Sequence, residues 1–163
     1  MEQFTGKVWL LGDDIDTDII IPTEYLALKT VQDMAPYGFS PLRPDLASQI
    51  KPGDTIVAGK NFGCGSSREQ APEVIKALGV RAVIARSYAR IFFRNAINNG
   101  LLLIENDTLC DDVKEGDKIT VRVGDCIEYA GRTYPISALP SNLLDILEAG
   151  GLVKAMQKLN GII

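Results

Sequence analysis

The sequence predicts an α/β fold, a largely parallel sheet flanked by helices, in one domain spanning residues 1–163. Three observations predict it. Apolar, strand-like runs alternate with helical segments through the middle of the chain, and glycines mark each change of element. The composition, 46% hydrophobic and 23% charged, is that of a chain able to bury a core. The length suits a single globular unit.

Residues 7–12 (KVWLLG) read as a strand ending at glycine, followed by a polar, acidic turn at residues 13–18 and the apolar run 19–22. Residues 23–50 carry Pro36, Gly38, Pro41 and Pro44 with little periodicity, which predicts short helical turns and an extended loop. Residues 55–58 (TIVA) read as a buried strand, 59–65 as a glycine-punctuated loop and 68–78 as a helix stopped by Gly79. A strand at 80–85, a helix at 88–98 closed by Gly100 and a strand at 101–104 follow. Strand, helix, strand, helix, strand with short connections is the pattern of right-handed βαβ crossovers. After Asn106 the spacing changes to short strands at 118–123, 126–129 and 132–136, joined by Gly-Asp and Ala-Gly turns. A helical end covers about 141–159, broken at Gly150 and Gly151.

Charge and residue usage narrow the function. A net charge of −4 without a Lys/Arg cluster excludes a phosphate-backbone partner such as nucleic acid. The start of the chain lacks a basic region before an apolar stretch, and no apolar run is long enough to span a membrane, so a cytoplasmic protein without a membrane partner is expected. Cys64, Cys110 and Cys126 are odd in number and widely spaced, which suggests free thiols rather than disulfides or a Cys-x-x-Cys metal site. With no histidine in the chain, any proton transfer must use other groups.

The informative stretch is Asn61-Phe62-Gly63-Cys64-Gly65-Ser66-Ser67-Arg68-Glu69, between a strand and a helix. The glycines allow backbone geometries closed to other residues, and Ser66 or Ser67 is positioned to cap the following helix. Free N–H groups and two hydroxyls at a helix start favour an anion, and Arg68 offers a planar fork for a carboxylate. The same field would stabilise an alkoxide, which makes Ser66 a candidate base. The stretch lacks the Gly-Lys-Ser/Thr ending of a P-loop and the third glycine of a dinucleotide fingerprint. A binding module without chemistry, taking carboxylate or phosphate at the same helix terminus, is the competing reading. Asp14, Asp16 and Asp18 mimic the start of a calcium loop, but Ile19 stands where that loop needs glycine.

Gly65-Ser66-Ser67-Arg68-Glu69 in this setting resembles the signature of the aconitase swivelling domain and of isopropylmalate dehydratase small subunits. Asp16-Thr17-Asp18-Ile19-Ile20 is similar to that family's Thr-Asp-x-Ile segment, and residues 85–95 (ARSYARIFFRN) to its Ser-Phe-Ala-Arg-Ile stretch. The resemblance implies a swivelling β/β/α domain of the aconitase type. It implies Ser66 as the base, Gly65, Ser67 and Arg68 at a substrate carboxylate, and Asp18 in the acid–base network. Ala27 and Leu28, after Pro22-Thr23-Glu24-Tyr25-Leu26, would meet a branched alkyl group where tricarboxylate enzymes place an arginine. Lys29 beside them keeps homoaconitase open, and an apolar pocket separates alkyl groups weakly, which keeps dimethylmalate and citramalate-type substrates open.

The reaction implied is dehydration and rehydration of a hydroxy-dicarboxylate, interconverting 2- and 3-isopropylmalate in leucine biosynthesis. The resemblance also implies a [4Fe–4S] cluster, held by three cysteine thiolates on a separate large subunit, with no cofactor on this chain. The chain alone is then expected to be an inactive small subunit, with self-association of the isolated chain left open.

Overall fold

Seven strands form one mixed sheet in the computed structural model, which describes residues 3–161; Met1 and Glu2, part of the N-terminal stretch read above, and Ile162 and Ile163 lie outside the described residues. Strand β1 (Gln3–Leu10) leads to the short helix α1 (Thr17–Ile20), a 3-10 turn at Thr23–Tyr25, helix α2 (Val31–Met34), a second 3-10 turn at Ala35–Tyr37 and helix α3 (Leu46–Gln49). The βαβ core follows as β2 (Thr55–Val57), α4 (Gln70–Ala77), β3 (Ala82–Ala85), α5 (Arg90–Asn98) and β4 (Leu102–Glu105). Helix α6 (Leu109–Asp112) precedes the strands β5 (Lys118–Arg122), β6 (Cys126–Tyr129) and β7 (Arg132–Pro135), and helices α7 (Ser141–Ala149) and α8 (Leu152–Leu159) end the described chain.

The sheet order is β4-β3-β2-β1-β5-β6-β7. Strand β1 joins its two halves: Val8, Trp9 and Leu10 pair in parallel with β2, while residues 3–7 pair antiparallel with β5. The short antiparallel strands therefore continue the parallel sheet. The β6–β7 hairpin turns through Ala130 and Gly131, both at positive φ, the geometry that matches strand twist in a two-residue loop. Asn106, just past edge strand β4, donates to Pro135 O on the opposite edge strand β7 at 3.3 Å, so the sheet curls.

The alternation of side chains along the strands divides the interior in two. Trp9, Ile56, Val83 and Leu103 face one core with Ala71, Val74 and Ile75 of α4. Their strand neighbours Val8, Val57, Ala82, Ile84 and Leu102 face a second core inside the curl, with Ile119, Val121 and Ile127. Every parallel strand is thus apolar on both sides, which explains its unbroken apolar run in sequence. Two buried polar side chains beside β1 are satisfied: Asp54 accepts from Trp9 Nε1 and Lys51 N, both at 2.8 Å, and Thr55 Oγ1 in β2 donates to Lys7 O at 3.0 Å.

Two helix starts differ from expectation. Helix α4 begins at Gln70 rather than residue 68, so Arg68 belongs to the loop. Helix α5 begins at Arg90 rather than 88, because Tyr88 bridges Phe62 and its hydroxyl donates to Val83 O and Ile104 O at 2.8 Å each. Tertiary contacts hold Tyr88 extended against its helix-compatible pattern.

Candidate active site

Residues 58–69 leave the carboxyl end of β2, the edge at which open α/β sheets place ligands. Phe62 anchors this loop in the core, fully buried and edge-on to the Phe92 ring at 5.5 Å. Two backbone bonds then fasten the loop to the segment before α1: Gly63 N donates to Ile15 O at 2.7 Å, and Thr17 N to Cys64 O at 2.9 Å. Gly63 must be glycine, since φ is +81° and a Cβ would fall within the Phe92 ring.

Beyond this anchor the chain opens. Ser66 and Ser67 are exposed, and neither hydroxyl has a partner among the described residues. The backbone N–H groups of residues 65–68 are likewise without partners inside the described chain. These residues line a cleft of about 230 Å³ together with Thr17 and residues 89–92 at the start of α5. Ser66, Ser67, Arg68 and Gly65 are therefore brought together on one cleft. The serines do not cap α4, however: its N-cap is Glu69, and no side chain bonds there. With the helix beginning at Gln70, Ser66 stands about a turn away, and its unpaired neighbouring N–H groups are the nearer source of positive potential.

Arg68 is largely covered and engaged by its own chain. Its Nη1 lies 2.5 Å from Asp18 Oδ1 and donates to Ile21 O at 3.0 Å, while Nη2 donates to Thr23 Oγ1 at 2.8 Å. Asp18 is thus held beside the loop by Arg68, not by Ser66. Its side chain is 64% exposed. The residue that holds the turn is Asp16, the N-cap of α1, which accepts from Ile19 N at 2.8 Å.

Ala27 and Leu28 occupy an exposed turn and do not line the cleft. That turn follows the 3-10 turn which Thr23 ties to Arg68. Cys64 is partly buried; burial first, then the nearby Asp16 and Asp14 carboxylates, push its thiol above the ordinary range, which keeps it protonated near neutrality. Among the described residues no three His, Cys, Asp or Glu side chains gather where they could hold a metal ion.

Sequence reasoning gave no role to Thr17, Arg90 or Asn95, all of which line the cleft. Each lies within a stretch already singled out, so the available signal was position in a motif; adjacency came only from folding. A larger groove of about 760 Å³ beside α8 holds Lys76, whose Nζ donates to Asn99 O and Gly150 O, bonds that tie helix ends together.

A βαβ domain that turns paired hydroxyls and free N–H groups toward an open cleft, with a guanidinium at its edge, presents donors to an anion on a fold of the aconitase C-terminal type. The chain belongs to the aconitase C-terminal domain family, whose model matches residues 23–108. It is 77% identical over 161 residues to the 3-isopropylmalate dehydratase small subunit of Lachnospira eligens, covering 99% of this chain and 98% of that protein. It is 50% identical to 3-isopropylmalate dehydratase small subunit 1 of Archaeoglobus fulgidus, over 94% of this chain and 97% of that one. The crystal structure of a 3-isopropylmalate dehydratase from Methanocaldococcus jannaschii superposes with a TM-score of 0.92 at 41% identity, covering 98% of this chain and 96% of that chain.

Proposed function

We propose that this chain is the small subunit of a heteromeric hydro-lyase that interconverts 2- and 3-isopropylmalate by dehydration and rehydration in leucine biosynthesis, with Ser66 as its base. The observation that carries the catalytic reading is the open loop, where Ser66, Ser67 and the unpaired N–H groups of residues 65–68 line one cleft. In this reading the Ser66 hydroxyl, held as alkoxide by the surrounding donors, removes the proton beside a substrate carboxylate. Ser67 and the N–H groups of the loop hold that carboxylate, with Arg68 at its edge. Asp18 keeps the Arg68 fork oriented. Ala27 and Leu28 meet the alkyl group from their exposed turn.

The partner is a large subunit; a [4Fe–4S] cluster on it would supply the Lewis acid for the departing hydroxyl. No helix among the described residues is long and apolar enough to cross a membrane, and we place the enzyme in the cytoplasm. A related M. jannaschii chain, 45% identical over 156 residues, is an isopropylmalate/citramalate isomerase small subunit, which makes citramalate the second substrate to assay.

The test is Ser66→Ala in the reconstituted two-subunit enzyme. Loss of the base lowers kcat by about 10²–10⁴-fold and leaves KM within a few-fold. A variant with parental kcat would remove Ser66 from the mechanism.

A further inference from the structure

We propose that the first turn of α5, with Arg90 at its start, is a second carboxylate-binding wall of the cleft, completed by the Thr17 hydroxyl. The inference rests on the dicarboxylate reading above and assigns the substrate's second charge to residues without a role so far. Arg68 has both terminal nitrogens of its fork engaged by Asp18, Ile21 O and Thr23 Oγ1. A ligand with two carboxylates needs a further set of donors.

Three independent features supply them. Helix α5 is nine residues long, and its N-cap, Ala89, offers no side-chain acceptor, so the N–H groups of Arg90, Ile91 and Phe92 are unpaired where residues 89–92 line the cleft. Arg90 is exposed and without a partner among the described residues. By contrast Arg43, Arg68, Arg86, Arg122 and Arg132 are all in ion pairs, and Arg81 lies over the Phe4 ring; Arg94, one turn further along α5, is also unpaired among the described residues but does not line the cleft. Thr17 lines the same cleft, and its buried Oγ1 makes no hydrogen bond. Buried hydroxyls in native proteins are nearly always bonded, so an orphan beside two sets of free donors marks the place of a missing acceptor. An anion satisfies all three features at once: the hydroxyl donates to it, the helix start attracts it, and Arg90 closes on it from the rim.

The experiment is steady-state kinetics of the two-subunit enzyme carrying Arg90→Gln or Arg90→Lys, with the large subunit in saturating excess and folding checked by thermal unfolding. R90Q is expected to raise KM for 3-isopropylmalate at least tenfold with kcat within about threefold of the parent, while R90K, a charge without the fork, falls between them. The inhibition constant of malate, a dicarboxylate, rises in parallel; that of lactate, a monocarboxylate, stays at the parental value. Parental KM in both variants overturns the inference, as does a defect that more large subunit relieves, which would make Arg90 a contact to the partner. A parent enzyme unable to turn over isopropylmalate overturns the functional reading and this inference together, whereas a working parent with unaltered variants overturns the inference alone.

Discussion

A buried hydroxyl left without a hydrogen bond costs a folded protein about 1–3 kcal/mol, and Thr17, 2% exposed, retains one. A methyl group of the same shape would avoid that cost. Thr17→Val should therefore move the urea midpoint of the isolated chain upward by the equivalent of about 1 kcal/mol while raising KM in the assembled enzyme. A lower midpoint, or a parental KM, would show that the hydroxyl serves packing alone. The paired serines were legible at this scale because no other sequence feature explains two hydroxyls next to two glycines and an arginine. The attachment of Arg68 to Asp18, Ile21 and Thr23 was not, because these partners lie 45–50 residues away in sequence and share no periodicity with it.

At the scale of elements, the backbone hydrogen bonds of the irregular segment between α1 and β2 are mostly local turns, and side chains fasten it to the rest of the fold. Arg43 pairs through both terminal nitrogens with Glu115 in the turn before β5, and Glu115 also accepts from Leu10 N at 3.3 Å. The Arg43 hydrogen bond is the main reason the Glu115 carboxyl is held below its ordinary value of 4.5. The sign follows from that direction: with the folded value depressed, the pair stabilises the fold fully above the unfolded value, and the stabilisation is lost as pH falls through the depressed one. Both side chains are partly exposed, which limits the pair to about 0.2–1 kcal/mol. Arg43→Gln should therefore lower stability at pH 7 by that amount, and parent and variant should converge in acid unfolding titrations. A gap that persists unchanged at low pH would assign the loss to packing instead. The strands and main helices were legible because both cores make them apolar; helix α1 was missed because four residues are too few to carry a period.

On the scale of the whole molecule, the curled sheet places the loop after β2 and the start of α5 on one open cleft, with no cover from the described residues above the serines. A candidate active site so exposed gains dry, low-dielectric surroundings only from another surface. The purified chain alone should show no isopropylmalate turnover and no iron–sulfur absorbance, and addition of the large subunit should restore both. Turnover by the chain alone in the presence of a chelator would refute the two-subunit reading.

Local chemistry determined the α/β class, the run of βαβ units, the absence of a histidine base and the serine–arginine loop, because each is written in adjacent residues or in a short period. Tertiary structure alone decided that the antiparallel strands extend the same sheet through β1, that Arg68 is engaged by the segment around α1, and that Thr17 and Arg90 share a cleft with Ser66. These depend on contacts between residues distant in sequence, where pairing is set by how two cores and a curled sheet pack, and no local pattern records that choice.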